Sequence, residues 1–305
     1  MTGGPSTTAF ESDPRASVRK RVFVVGAGIM GSGIAAQCAL AGYPVTLEDI
    51  NEELARRGLA NATRALNHAA ERKKIGPGDR EAALSRIEVA IGLRRADAAQ
   101  VVVEAAPEDL ALKRRLFREL EEVAAPGALF ASNTSSLPIT SIGQELSDPG
   151  RLVGLHFFNP VLQMPLVELI PGHTSRPEVV EAARAFATSL GKTVVTSRDT
   201  PGFVTTRALA VLVNEAAWML YEGIATRDDI DTAYKLGFHH PMGPFELVDL
   251  VGIDTAVAIL DVLWDGFRDS RYRACPLLRT MVAAKKLGRK TGEGFYKYPP
   301  PKGPP

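Results

Sequence analysis

Cysteine is scarce in this chain, and that scarcity is informative. The two thiols among 305 residues, Cys38 and Cys275, lie in different halves and show no CxxC or other metal-ligand spacing. They read as reduced thiols in a reducing compartment, the cytoplasm, with no structural disulfide and no metal site. No apolar run approaches the roughly eighteen residues a membrane-spanning helix needs. A dominant charge is missing too: 36 basic and 35 acidic residues leave a formal net charge of +1. With no global field, neither nucleic acid nor an anionic membrane is an expected partner, and an anionic ligand has to be held locally. The opening MTGGPSTTAFESDPRASVRKR lacks the apolar centre of a secretory signal, and Glu11 and Asp13 fit a mitochondrial presequence poorly. Residues 1–20 are expected to form a disordered tail. What remains is ordinary for a globular protein, 45% hydrophobic and 23% charged, and long enough for two domains with a core each.

From Arg21 the pattern becomes strand, glycine turn and helix: RVFVV, GAGIMGSG, then IAAQCALAG with Gly42 as the helix stop. PVTLEDI predicts a second strand ending in acids, and the Arg- and Ala-rich stretch from Glu52 to Lys74 a long helix. A turn at IGPGD and a shorter helix around Arg80 to Ser85 follow. The apolar runs IEVAI, QVVVEAA, ALFASN, LVGLHFF, PLVELI and KTVVTS alternate with or adjoin helical segments. That alternation implies an α/β, doubly wound, mainly parallel sheet. Ser175 ahead of Pro177 and Glu178 predicts a capped helix start, and Gly191 its end. After DTPGF at 199–203 the alternation stops and apolar residues recur at helical spacing, so an all-α domain is expected over 201–298. Thr226 with Asp228 and Asp229 predicts one of its helix starts. Residues 299–305 are a proline-rich tail.

Gly26-Ala-Gly28-Ile29-Met30-Gly31 follows a strand and opens a helix. In that context the three glycines serve a tight turn, close approach of the backbone to a pyrophosphate, and close helix–sheet packing, with the anion on free amides of the helix N-terminus. An ordinary strand–helix turn is the bland alternative. Asp49 lies at the end of the second strand, about twenty residues on, where a carboxylate reaches the adenosine ribose and repels a 2′-phosphate, which favours NAD over NADP. Glu104, Glu108 and Lys113 fall at the next strand end and into its helix, where Glu108 suits either a helix cap or a cofactor contact. SNTSSLP at 132–138 suits either a locally capped turn or a substrate hydroxyl contact.

Of five histidines, four have structural explanations: His68 on a charged helix face, His173 in a turn, and His239 and His240 beside the stiff PMGP loop. His156 differs. A chain reversal near Leu162 sets it opposite Glu168 as a cross-strand pair. One ring nitrogen can then donate to the acid while the other faces outward as a base. A buried salt-bridged pair is the competing reading.

GAGIMGSGIA, VVEAAPEDLALK, SNTSSLPIT, GLHFFNPVLQMPLVELI, DTPGFV, PMGPFELVDLVGIDT and KTGEGFYKY, in this order, closely resemble the short-chain L-3-hydroxyacyl-CoA dehydrogenases, including bacterial 3-hydroxybutyryl-CoA dehydrogenases. The resemblance spans residues 21–298. It implies a Rossmann-type NAD-binding domain over 21–200, a helical substrate and dimerisation domain, and a homodimer acting in fatty acid metabolism on an acyl-CoA substrate. It implies His156 as general base, Glu168 as its orienting carboxylate, Ser135 as the hydroxyl meeting the reacting oxygen, and Asn159 beside that pocket. Asp49, Glu108 and Lys113 fall on cofactor contacts. The chain departs from the pattern at GFVTTR, where the family reads GFVVNR and its asparagine touches substrate, so Thr206 stands at that position. Two other readings compete: a dehydrogenase of a free hydroxy acid, as in the gulonate dehydrogenase and lambda-crystallin branch, and a nucleotide-binding protein without turnover.

Overall fold

A computed structural model of the chain describes residues 20–299; the expectations for the tails at 1–19 and 300–305 lie outside those residues. The first half runs β1 (Val22–Val25), α1 (Ile29–Leu40), β2 (Val45–Asp49), α2 (Glu52–Glu71), α3 (Pro77–Leu84), β3 (Ile87–Ile91), β4 (Val101–Glu104), α4 (Leu110–Val123), β5 (Leu129–Ser132), α5 (Ile139–Ile142), β6 (Leu152–Phe157), β7 (Leu166–Pro171), α6 (Pro177–Ser189) and β8 (Thr193–Thr196). The sheet has the order β3-β2-β1-β4-β5-β6-β7-β8. β1 to β6 are parallel, β7 is antiparallel to β6, and β8 parallel to β7.

The central strands are apolar at every position because both sheet faces are covered. Val22 and Val24 pack with α1, α2, α3 and α6, while Phe23 and Val25 pack with α4 and α5. α1 is buried on all sides from Gly31 to Ala39, which explains its run of small and apolar residues with no polar face. The order in which strands are added reverses about β1, with β2 and β3 on one side and β4 onward on the other. That switch point opens a crevice at the carboxyl ends of the strands.

Several boundaries differ from expectation for local reasons. α2 stops at Glu71 and not Lys74, because Lys73 takes a left-handed φ of 56°. α3 begins at Pro77, with the Asp79 carboxylate accepting from the Gly76 amide at 3.0 Å. Ser175 does not cap α6, whose N-cap is Arg176. Its hydroxyl instead accepts from Gly172 N at 2.8 Å and donates to Leu152 O, closing the turn that leaves β7. Gly42 and Gly191 do stand past their helix ends, with φ of 90° and 74°.

The second half is helical: α7 (Thr205–Tyr221), α8 (Arg227–Gly237), α9 (Pro244–Val251), α10 (Ile253–Phe267) and α11 (Pro276–Ala283). Thr226 caps α8, accepting from Asp229 N at 3.2 Å. Val213, Leu260, Leu263 and Leu278 form the middle of its core. The segment TGEGFYKY, close to the chain end, is fastened down: Asp249 accepts from the amides of Phe295 at 2.9 Å and Tyr296 at 2.8 Å. Among the described residues no helix is long and apolar enough to cross a membrane, and no group of three or more His, Cys, Asp or Glu could hold a metal ion.

Candidate active site

The crevice begins at the glycine loop. Gly26 has a φ of 90°, and a Cβ there would lie 2.8 Å from Ala105 O; a Cβ on Gly31 would lie 1.8 Å from Gly26 O. Neither position accepts a side chain. At Gly28 a Cβ would meet nothing within 4 Å, so open space lies over the loop. The first helical bond of α1 runs from Ser32 N to Gly28 O, leaving the amides of Ile29, Met30 and Gly31 in the first turn without intrahelical acceptors. Ile29 is 70% exposed over this turn. Asp49 ends β2 and ties itself to the loop, Oδ2 accepting from Ala27 N and Oδ1 from Ile50 N, both at 2.8 Å. Cradle, free amides and carboxylate together fit a dinucleotide. Glu48, the residue before Asp49, is buried, with Oε1 accepting from Gly92 N at 3.2 Å. Burial, and then the neighbouring Asp49 carboxylate, push it up to about 7.

At the ends of β4 and β5 a network running from buried Glu104 to exposed Glu108 fixes the SNTSS turn. Glu104 accepts from Lys113 Nζ at 2.6 Å and from Ser132 Oγ at 2.6 Å. Glu108 does not cap α4; Asp109 does, accepting from Leu112 N at 2.7 Å. Glu108 instead gathers the turn, its Oε1 accepting from Thr134 Oγ1 at 2.6 Å, Ser135 N at 3.0 Å and Ser136 N at 3.1 Å. Burial alone would raise its pKa, but the Lys113 ammonium, 3.4 Å away, and these donors outweigh it and hold the carboxyl below the usual range. Lys113 is thus directed into the protein, between two carboxylates and Ala106 O. Ser135 Oγ makes only a long contact, 3.3 Å, to Glu108.

β6 and β7 carry the remaining pair. Their antiparallel register sets His156 directly against Glu168, as the spacing predicted. His156 is 7% and Glu168 0% exposed, and Nδ1 lies 2.7 Å from Oε2. Phe158 and Phe203 flank the imidazole, with ring centroids 4.4 and 6.1 Å away. Glu168 also receives three donors from the start of α7: Val204 N at 3.2 Å and Thr205 N at 2.9 Å on Oε1, and Thr205 Oγ1 at 2.9 Å on Oε2. Burial pulls its pKa up, but the ring, the Thr205 amide and the Thr205 hydroxyl together hold it down. The carboxylate is therefore charged, and the ring nitrogen that faces it is Nδ1, which leaves Nε2 as the ring atom not committed to Glu168.

Asn133 Oδ1 accepts from Phe157 N at 2.8 Å, fastening the serine turn to the strand that carries His156. Beyond β6, the Asn159–Pro160 peptide is cis and Asn159 is exposed. The return loop is pinned from below by buried Lys192, whose Nζ donates to Val161 O at 2.5 Å and Met164 O at 2.9 Å. This loop, Ile29 and α2 enclose a cavity of about 520 Å³, with Arg64, His68, Arg72 and Lys74 on its rim and Asn159 at one end. Thr206 is buried in the first turn of α7, next to Thr205.

Gly26, Gly28, Ile29, Met30, Gly31 and Asp49 meet at one end of the crevice; Glu108 follows in the loop after β4, Ser135 in the turn after β5 and His156 near the end of β6, whereas Lys113 lies on α4 with its ammonium buried. Register puts Val25 beside Glu104, Glu104 beside Ser132 and Ser132 beside Gly154, so the carboxyl ends of β1, β4 and β5 are level along one edge of the sheet. Sequence reasoning missed Thr205, Asn133 and Lys192. Each acts over 24 or more residues of separation, and no local pattern marks such a bond.

Comparison with known proteins agrees with this geometry. Residues 21–200 match the model of the 3-hydroxyacyl-CoA dehydrogenase NAD binding domain, and residues 202–298 that of the 3-hydroxyacyl-CoA dehydrogenase C-terminal domain. A probable 3-hydroxybutyryl-CoA dehydrogenase of Bacillus subtilis is 44% identical over 92% of this chain and 97% of its own length. The human mitochondrial hydroxyacyl-coenzyme A dehydrogenase is 42% identical over 98% of this chain and 97% of its own. The crystal structure of (S)-3-hydroxybutyryl-CoA dehydrogenase from Ralstonia eutropha superposes with a TM-score of 0.88 at 40% identity, covering 92% of this chain and 100% of the other. With both domains matched in order and the crevice built for a dinucleotide, the chain belongs to the 3-hydroxyacyl-CoA dehydrogenase family, NAD-dependent oxidoreductases.

Proposed function

We propose that this chain catalyses the reversible, NAD-dependent oxidation of (S)-3-hydroxyacyl-CoA to 3-oxoacyl-CoA, with short acyl chains such as 3-hydroxybutyryl as its substrates. The observation that carries this reading is the buried His156–Glu168 pair, 2.7 Å apart, at the same sheet edge as the glycine loop. The substrate named for the Bacillus and Ralstonia relatives supports the short chain.

His156 Nε2 takes the proton of the 3-hydroxyl, and Glu168 stabilises the imidazolium that forms. NAD, when bound, supplies the hydride acceptor. The Gly26–Gly31 loop and the first-turn amides of Ile29, Met30 and Gly31 hold its pyrophosphate, and Asp49 accepts from its ribose. Glu108 borders the cofactor further along the crevice, with the buried Lys113 ammonium supporting it from inside the protein, and Ser135 meets the substrate oxygen with Asn159 beside it. Thr206 presents a hydroxyl where the family has an asparagine, keeping a donor and an acceptor but losing the amide's reach and second donor, so the acyl preference is altered. In the reductive direction the same imidazolium returns the proton. The basic rim formed by Arg64, Arg72 and Lys74 suits the phosphates of CoA. The free, buried thiols Cys38 and Cys275 suit a reducing cytoplasm. The protein acts as a homodimer joined through its helical half, within fatty acid β-oxidation.

The test is to mix the protein with NADH and acetoacetyl-CoA, longer 3-oxoacyl-CoAs or free 3-oxo acids, and follow nicotinamide absorbance. Oxidation confined to thioesters is the expected result. Oxidation with free acids instead assigns the chain to the hydroxy-acid branch, and NADH binding with no oxidation makes it a nucleotide-binding protein.

A further inference from the structure

We infer that Thr205 is a positioning residue of the acid–base pair, its hydroxyl fixing Glu168 so that His156 works as a base. The inference rests on the proposed roles of His156 and Glu168 and adds a third member to them.

A threonine at a helix start ordinarily turns its oxygen onto the amides of its own helix. Here the arrangement is reversed. Val204, the N-cap of α7, makes no side-chain cap bond, and the helix start is served by a carboxylate from another strand: Glu168 Oε1 takes the amides of Val204 and Thr205. The Thr205 hydroxyl then reaches back to Oε2, the oxygen that also holds His156 Nδ1. Four donors thus meet the roughly four lone-pair positions of a carboxylate that has no access to water. Rotation of Glu168 breaks several bonds at once, so its direction toward the ring is fixed.

The hydroxyl also shares Oε2 with the ring, which has an electrostatic consequence. Two donors on one oxygen divide its charge between them. Without the hydroxyl, more of that charge falls on the imidazole, the imidazolium is held more strongly, and the upper apparent pKa of the coupled pair rises. The titratable groups meeting here are His156 from β6 and Glu168 from β7. α7 contributes amides and a hydroxyl, and the chain on either side contributes Phe158 and Phe203, which are uncharged. The family pattern quoted above has valine at this position, so the hydroxyl tunes the pair in this chain rather than being indispensable to the chemistry.

The test compares the parent with Thr205→Val and Thr205→Ser by two measurements. The first is the pH profile of kcat/KM for (S)-3-hydroxybutyryl-CoA oxidation. The second is a ¹⁵N titration of the His156 ring, assigned by its loss in His156→Ala, which needs no turnover. Thr205→Val is expected to move the acid limb and the ring titration up together by about half a pH unit, the size of one shared neutral hydrogen bond. kcat at pH 7 falls about three- to tenfold with little change in KM. Thr205→Ser restores both. Superimposable titrations for the parent and Thr205→Val, or a serine variant that behaves as the valine one does, overturn the inference. Thr205→Ala repeats the comparison if the valine variant does not fold. A parent that turns over no thioester defeats the proposed function alone, because the ring titration still judges Thr205.

Discussion

His156 and Glu48 are both buried and polar, and their surroundings give them opposite consequences. His156 has every neighbour needed to hold it and one nitrogen left for chemistry. His156→Ala is therefore expected to lose about 10² to 10⁴ in kcat while NADH binding, read by fluorescence, is retained, because the glycine loop lies on other elements. Unchanged turnover would remove the histidine from the mechanism. Glu48 is held at about 7 by burial and by Asp49, above its ordinary value of 4.5. Below pH 4.5 both the folded and unfolded chains carry the proton; between that value and 7 the unfolded chain releases it and the folded chain keeps it, so stability falls as pH rises. Glu48→Gln keeps the acceptor for Gly92 N and removes the linkage. It should gain about 1–3 kcal/mol at pH 8 and nothing at pH 4, measured by urea unfolding at the two pH values. Glu108 and Glu168, held low, behave in the opposite sense, contributing stability above the ordinary carboxylate range that is lost as pH falls through their depressed values.

At the scale of elements, period and spacing made the main features legible. The β6–β7 pair could be read because a reversal near Leu162 fixes the register, and register in a period-two structure fixes which side chains face each other. Helix starts were legible at Thr226, which caps its own amides, and at Pro177; what was illegible is a hydroxyl that serves a remote partner, as Ser175 serves Leu152 O and Thr205 serves Glu168. The return loop shows the same limit. Nothing local in GKTVV says that Lys192 buries its ammonium under residues 161–164, yet two loop carbonyls depend on it. Lys192→Met leaves both carbonyls unpaired and should cost about 1–3 kcal/mol of stability. Because that loop carries Asn159 and one wall of the cavity, the KM for acyl-CoA should rise more than the KM for NAD, measured by varying each substrate at saturation of the other. Equal effects on the two would mean the lysine supports the fold as a whole.

Across the whole molecule, the two halves share one site: the carboxylate of β7 accepts its donors from the first turn of the helical half. The surface is less evenly divided. Of twelve large apolar residues exposed among the described ones, seven lie between Val204 and Val251, including Tyr221, Ile224, Leu236, Phe238 and Leu250. Single exposed apolar residues need no explanation, but their concentration in the smaller half makes that half the place to test for association. Leu236 and Phe238 are 75% and 65% exposed at the end of α8, where Phe238 stacks edge-on against Tyr234 and lies beside His240. A charge there meets no folded core in the isolated chain, so its effect is confined to association. If the helical half joins two copies, Phe238→Asp should shift the sedimentation profile toward monomer with the melting temperature of the dilute protein little changed. A profile identical to the parent's would place the contact elsewhere.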